Sequence, residues 1–267
     1  MEVTEAMTET PRGKLLLGVD TCGPVGSVAL GRLTGRDIEI LGQIELEGRS
    51  YSARLVAAIG ELLAASGTKL SLLHAMVAVN GPGSFTGVRV GLSAVKGLAE
   101  PGGIPVVAVS RLEVLAWKGG SAAAALDAHR QEVFLRVGEQ ELLVGVKELA
   151  EFDFAMADED AKILDGQRQS RLPIPSGAEA RTLPSKTFSV AVCDEAAAGL
   201  LATVWPDVQL VNVRPPTAAD ALTLCVGRVE AGHFADLELL DGHYLRRSDA
   251  EIFGDAPKPK SGEVEGA

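Results

Sequence analysis

Within residues 15–110 the hydrophobic period changes from two to 3.6 and back, and that order of periods leaves few folds open. LLLGVD (15–20) is an apolar run ending in an acid, GSVALGRL (26–33) alternates less cleanly, and IEILGQIEL (38–46) alternates well, with Gly-rich links between them. These three segments predict a meander of strands. SYSARLVAAIGELLAASG then sets Leu55, Ile59, Leu62 and Leu63 on one face at helical spacing, with Ser50 at the N-cap and Gly67 as the stop. LHAMVAVN (73–80) reads as a buried strand, residues 86–99 as a second helix, PGGIP as a turn and VVAVS (106–110) as another strand. A meander followed by alternating helices and strands is an α/β arrangement.

The second half carries weaker signals. AAAALDAHRQEVFLRV (122–137) predicts two strands joined at 127–131, SVAVCD (189–194) a further strand, and residues 196–205 and 217–232 two helices. Residues 140–188 mix prolines and charge without a clear period. The expected division is a disordered leader (1–13), a first α/β lobe (14–110) on which the 217–232 helix packs, a second α/β lobe (111–215), and a disordered tail (254–267).

Charge and cysteines narrow the function classes. A formal net charge of −11 with 4% aromatics opposes strong direct binding to nucleic acid and supplies few stacking platforms. Three scattered cysteines without C-x-x-C spacing fit a reducing cytoplasm. The acidic N-terminus lacks a signal-peptide pattern, and no run of about 18 apolar residues suggests a membrane span.

Three segments could carry chemistry. In NGPGSFTGVRVG (80–91) the residues Gly81, Gly83 and Gly87 precede a helix that Ser84 or Thr86 can cap, so free N–H groups there could cradle an anion. Val88 stands where a Walker motif needs Lys, and the G-x-G-x-x-G spacing is missed by one. The competing reading is a packing turn: Gly87, Gly91 and Ala94 share one side and let another backbone approach. In GVDTCGPVGSVAL the pair Asp20 and Thr21 could orient a phosphate or a metal-bound water, or simply bond the N–H groups of their own turn. LDAHRQEVF gathers Asp127, His129, Arg130 and Glu132 at a turn, most simply for hairpin solubility. No zinc motif and no G-x-S-x-G elbow occurs.

GVDTCGPVGSVAL, VNGPGSFTGVRVGLSAVKGLAEPGGIPVVAVSRLEVLA, LDAHRQEV and HYLR (243–246), in that order, closely resemble the bacterial TsaB family, also called YeaZ. The resemblance implies an actin-like, Hsp70-like fold of two small α/β lobes. It also implies membership of the complex that makes threonylcarbamoyladenosine in tRNA, as a non-catalytic scaffold and activator. The partners it implies are a TsaD-like transferase in a heterodimer and a TsaE-like ATPase, with tRNA met only through the complex and no membrane. A homodimer is a further arrangement it allows.

TsaD enzymes carry a similar glycine-rich stretch but then a His-x-x-x-His pair, where this chain has Arg111 and Leu115. A cation and an alkyl group cannot ligate a metal, which argues for a scaffold over an enzyme. By the same resemblance no metal and no cofactor is required by this chain, with ATP or ADP at a subunit interface as the alternative. Its first two helices correspond to the family's association surface. Leu55, Ile59, Leu62, Val88, Leu92 and Val95 are therefore either core or partner-binding residues. Tyr51-Ser52-Ala53 departs from the family's His-Ser-Glu at the first helix start. Two other readings stay open: an actin-like ATPase or kinase using Asp20 and the glycine loops, and a metallopeptidase-like enzyme.

Overall fold

The computed structural model describes residues 13–47, 50–151 and 189–246. The meander is present as β1 (Lys14–Asp20), β2 (Val25–Thr34) and β3 (Asp37–Glu47), paired antiparallel in sequence. β4 (Leu73–Val79) then pairs parallel with β1, and β5 (Val106–Val109) parallel with β4, giving the order β3-β2-β1-β4-β5. Two helices connect these strands. α1 (Tyr51–Ala65) buries Leu55, Ile59, Leu62 and Leu63, the face its 3.6-residue period predicts. Gly67 ends it at φ 61°, a left-handed conformation that glycine adopts without penalty. Ser50 does sit at the N-cap, but its hydroxyl donates to the Glu47 carbonyl at 2.8 Å and caps no N–H. α2 (Phe85–Ala99) is capped by Ser84, whose Oγ accepts from Gly87 N at 3.2 Å.

The second sheet repeats the first. β6 (Ala123–Asp127), β7 (Glu132–Val137) and β8 (Gln140–Gly145) form a meander, and β9 (Ser189–Val192) and β10 (Gln209–Asn212) add in parallel, giving β10-β9-β6-β7-β8. In both sheets the first strand is central, with its meander on one side and its parallel strands on the other. The result is two α/β lobes of one topology, the duplicated plan of an actin-like fold. α3 (Arg111–Gly119) leads from the first sheet to the second, and α4 (Val146–Glu151) and α5 (Glu195–Val204) pack on the second core. β8, α4 and β10 were not marked by periodicity. Residues 1–12 of the leader, the tail and residues 152–188 lie outside the described residues.

The last helix, α6 (Ala218–Ala231), returns to the first lobe, where Ala221, Leu222, Cys225 and Val229 join its core. Thr217 and Asp220 form a capping box, and Ala218 N donates to Ser27 Oγ of β2 at 2.8 Å. The approach is close: a Cβ on Gly18 of β1 would lie 2.7 Å from the Ala218 carbonyl oxygen and 2.9 Å from Leu222 Cγ. Asp220 also accepts from Lys118 Nζ of α3 at 2.6 Å, so one helix start joins both lobes.

Leu222 is fully buried against β1, so Leu222→Ala should cost about 2–5 kcal/mol in urea unfolding through the cavity it leaves. Gly18→Val should be worse, because its side chain would meet backbone that cannot move aside.

Candidate functional site

The two lobes enclose a cleft of about 990 Å³. Its walls come from the β1–β2 turn, the start of α2, the β6–β7 hairpin tip and a C-terminal segment ending at Arg246.

At the centre of the first wall, the turn after β1 packs against the start of α2. Asp20 ends β1 fully buried, and its Oδ1 accepts from Cys22 N at 2.8 Å. Thr21 Oγ1 donates to the Gly87 carbonyl at 2.7 Å, and Ser84 N donates to the Cys22 carbonyl at 2.8 Å. A Cβ on Gly83 would collide with the Cys22 carbonyl oxygen, and one on Gly87 with that of Thr21. Gly91 likewise has no room for a side chain beside Thr21. The glycines therefore face carbonyl oxygens, which repel anions, and Ser84 takes the Gly87 N–H.

Gly81 is closed from the other side, where its carbonyl accepts from Arg111 N at 2.6 Å and the His243 backbone lies against it. Of Asp20, Thr21, Gly81, Gly83 and Gly87, Gly83 alone lines the cleft. This geometry packs the turn against α2, with Asp20 Oδ1 and Thr21 Oγ1 both bonded within the chain.

Opposite Asp20 stands Arg111, the first residue of α3, only 5% exposed. Its Nε lies 3.7 Å from Asp20 Oδ2, beyond hydrogen-bond distance, and neither atom has a hydrogen-bond partner. Its guanidinium also presses on Gly23, where a Cβ would collide with Nη2. Burial pushes the Asp20 carboxyl above its usual range, and the Arg111 charge offsets only part of this. From the other side Tyr51 Oη donates to the Gly23 carbonyl at 2.6 Å, and burial pushes that phenol up to about 12. Leu115, one turn further along α3, is fully buried.

The second lobe contributes the β6–β7 hairpin tip. His129, Arg130 and Gln131 all have φ between 56° and 61°, a conformation costing about 1–2 kcal/mol per residue without glycine. Asp127 holds the tip by accepting from His129 N at 2.8 Å and pairing with His129 Nδ1 at 2.8 Å. Hairpin solubility alone does not explain a strained turn that lines the cleft. Two cysteines also line it. Burial pushes Cys193 up to about 11 and Cys22 well above the usual thiol range, so neither is a reactive thiolate at neutral pH.

The fourth wall was not legible as a site. The segment after α6 crosses from lobe to lobe: His243 N donates to the Asn80 carbonyl at 2.6 Å, and Lys96 Nζ to that of Leu240 at 2.9 Å. Tyr244 packs against Phe85 with centroids 5.1 Å apart and the rings tilted by 47°, and Arg89 lies 3.7 Å over the Phe85 ring. On the second lobe Arg246 binds Glu132 and the Ala128 carbonyl, and His243 Nε2 meets Glu141 Oε2 at 2.9 Å. Ser110 and Arg136 also bind Glu141, each at 2.6 Å. The quoted HYLR was its only sequence signal.

The six expected partner residues need correction. Leu55, Ile59, Leu62, Val88, Leu92 and Val95 are all buried in the first lobe's own core. Helical periodicity marks the face turned inward, so these side chains hold the lobe together. The outer face of the two helices is made of other residues, among them Ala53, Val56, Ala57 and Gly60 of α1 and Thr86, Arg89, Ser93 and Gly97 of α2. Val56 is 58% exposed.

Burial alone would raise the Glu141 carboxyl, but the hydrogen bonds from His243, Ser110 and Arg136 together hold it below its ordinary value of 4.5. Its stabilising contribution is then fully present above pH 4.5 and lost as pH falls through the depressed value. Urea unfolding of the full chain should lose stability on acidification below that pH, and Glu141→Gln should flatten this part of the profile. Arg111→Met, which strands the buried Asp20, should cost about 3–5 kcal/mol at neutral pH.

The family model described as TsaD, tRNA N6-adenosine threonylcarbamoyltransferase, matches residues 40–229. Among curated relatives, the tRNA threonylcarbamoyladenosine biosynthesis protein TsaB of Escherichia coli is 35% identical over 125 residues, 45% of this chain and 52% of that protein. The TsaB of Haemophilus influenzae is 38% identical over 125 residues, 45% of this chain and 51% of that one. The chain thus spans about half the length of the curated relatives it matches. The solved structure of YeaZ from Pseudomonas aeruginosa is 25% identical with a TM-score of 0.60, covering 87% of this chain and 100% of that one. A second Pseudomonas aeruginosa structure, described as an uncharacterized protein with similarity to peptidase YeaZ, gives a TM-score of 0.61 at the same identity and coverage. With residues 40–229 matched, the chain belongs to the family that the TsaD model describes, and the relatives and solved structures it resembles within that family are TsaB (YeaZ) proteins.

Proposed function

We propose that this chain acts in the formation of N6-threonylcarbamoyladenosine in tRNA as a non-catalytic partner of a TsaD-like transferase, with a TsaE-like ATPase as third component. The observation that carries this reading is α3. Where the transferase branch has its histidine pair, Arg111 and Leu115 stand one turn apart, both buried, and neither can donate an electron pair to a metal. Among the described residues no three His, Cys, Asp or Glu side chains come together as a metal site. The glycine turn is spent on packing against Thr21 and Cys22, which leaves an ATPase or kinase reading without its phosphate cradle.

The outer face of α1 and α2 is the surface this reading assigns to the partner. Gly60 and Gly97 lie inside helices, where glycine costs about 1 kcal/mol relative to alanine, and a Cβ at either would meet nothing within 4 Å. Among the described residues no contact accounts for them. A second helix pair lying close against this face would, and such a pair exists on a homologous chain, whether the transferase or another copy.

The test is reconstitution with the cognate transferase, the ATPase and tRNA. Modified tRNA should form at full rate only with this chain present, and full-rate formation without it would refute the proposal. Gly97→Arg and Val56→Asp should each weaken co-purification with the transferase at least tenfold while leaving the melting temperature of the isolated chain nearly unchanged, since both positions are exposed.

A further inference from the structure

Arg111 is the least satisfied charged group in the cleft. An arginine carries five N–H donors, and burying them without acceptors is costly. Among the described residues no oxygen accepts a hydrogen bond from this guanidinium, and its one charged neighbour, Asp20, stands off at 3.7 Å. The side chain lines the cleft while being only 5% exposed, so the cleft is the one direction from which acceptors can reach it.

The other charges around the cleft are already engaged. Asp194 accepts from Ala197 N at 2.7 Å and Asp127 N at 3.2 Å, Asp127 is held by His129, and Arg246 is bound to Glu132 and Ala128. The remaining walls are largely apolar, including Val25, Phe85, Val88, Leu126, Phe134 and Tyr244. A volume of about 990 Å³ is at the upper end of what small-molecule sites enclose.

We propose that the interlobe cleft binds a small molecule with an anionic head, a phosphate or a carboxylate, on the Arg111 guanidinium and with an apolar or aromatic body against the cleft walls. The fork of the guanidinium matches either oxyanion in a bidentate fashion, and the low surrounding polarity strengthens the contact. Asp20 leaves the guanidinium donors free, because its Oδ1 is committed to Cys22 N and its Oδ2 lies beyond hydrogen-bond reach. This site differs from the glycine turn, whose backbone faces carbonyl oxygens, and it does not depend on the partner role proposed above.

The test uses the full chain alone, so its outcome is separate from that of the reconstitution. Calorimetric titration with inorganic phosphate, phenylphosphate and phenylacetate should give saturable binding, with a phenyl compound at least tenfold tighter than phosphate. Whichever of the two binds more tightly identifies the head group. Arg111→Lys keeps the charge but loses the fork, and should weaken binding at least tenfold. Diffraction from wild-type crystals soaked in the same compounds needs no variant and should place the head group on the Arg111 Nη atoms. The absence of saturable binding, unchanged affinity in Arg111→Lys, or density only away from Arg111 would each overturn the proposal.

Discussion

The turn Asp20–Gly23 packs backbone against backbone on the start of α2, and both lobes are arranged around that contact. Thr21 and Cys22 can lie so near α2 only because Gly83, Gly87 and Gly91 carry no side chains. Through Cys22 N the turn fixes Asp20, and through Gly23 it touches both Tyr51 of α1 and Arg111 of α3. One tight turn thereby sets the position of three helices. The C-terminal segment then spans the same junction from outside, from Asn80 to Glu141 and Glu132. A substitution at Gly87 would therefore be felt in α1 and α3 as well as in α2.

That junction combines close packing with an incompletely paired ion pair. The glycine contacts, the capping box on α6 and the Glu141 cluster are all satisfied interactions. Asp20 and Arg111 are not, since both are buried and each leaves a polar atom without a hydrogen bond. Hydrophobic residues of similar volume would usually be at least as stable as a buried pair, so stability alone does not account for charge at this place. The strained tip at His129–Gln131 is a second local cost on the same cleft. Two unfavourable features facing one space are what a functional cleft accumulates, and core packing elsewhere offsets them.

Much of this plan was legible in the sequence because long periodic segments report which side is buried. The meander, α1, α2 and the β6–β7 hairpin follow from their patterns within a residue or two. β8 and β10 escaped because they are edge strands that mix polar with half-buried apolar residues, and α4 because its six residues do not complete two helical turns. Periodicity also misdirected the partner assignment: Leu55 to Val95 stand out because they are core, whereas the outer face proposed for the partner, largely of small and polar residues, has no hydrophobic signature. The cleft was partly legible. Asp20 and the glycines mark the right location, where the turn packs on α2, while Arg111 stands out in the sequence for the ligand it replaces and not for its own unpaired donors. Tyr244 and Glu141 act through contacts far apart in sequence, which no local pattern encodes.

Charge supplies the last constraint. Several basic side chains are spent on ion pairs within the chain: Lys118 with Asp220, Arg136 with Glu141, Arg228 with Glu113 and Arg246 with Glu132. With a formal net charge of −11, the field reaching solvent is negative and opposes a polyanion at long range. An RNA backbone would have to overcome that field over many phosphates at once. A single small anion in the cleft faces less of it, because Arg111 lies in direct contact and within low dielectric, where one short interaction outweighs a diffuse surface charge. In the role proposed above, the same acidic body would leave tRNA to a more basic partner, while the cleft site inferred for Arg111 would still accept a small anion.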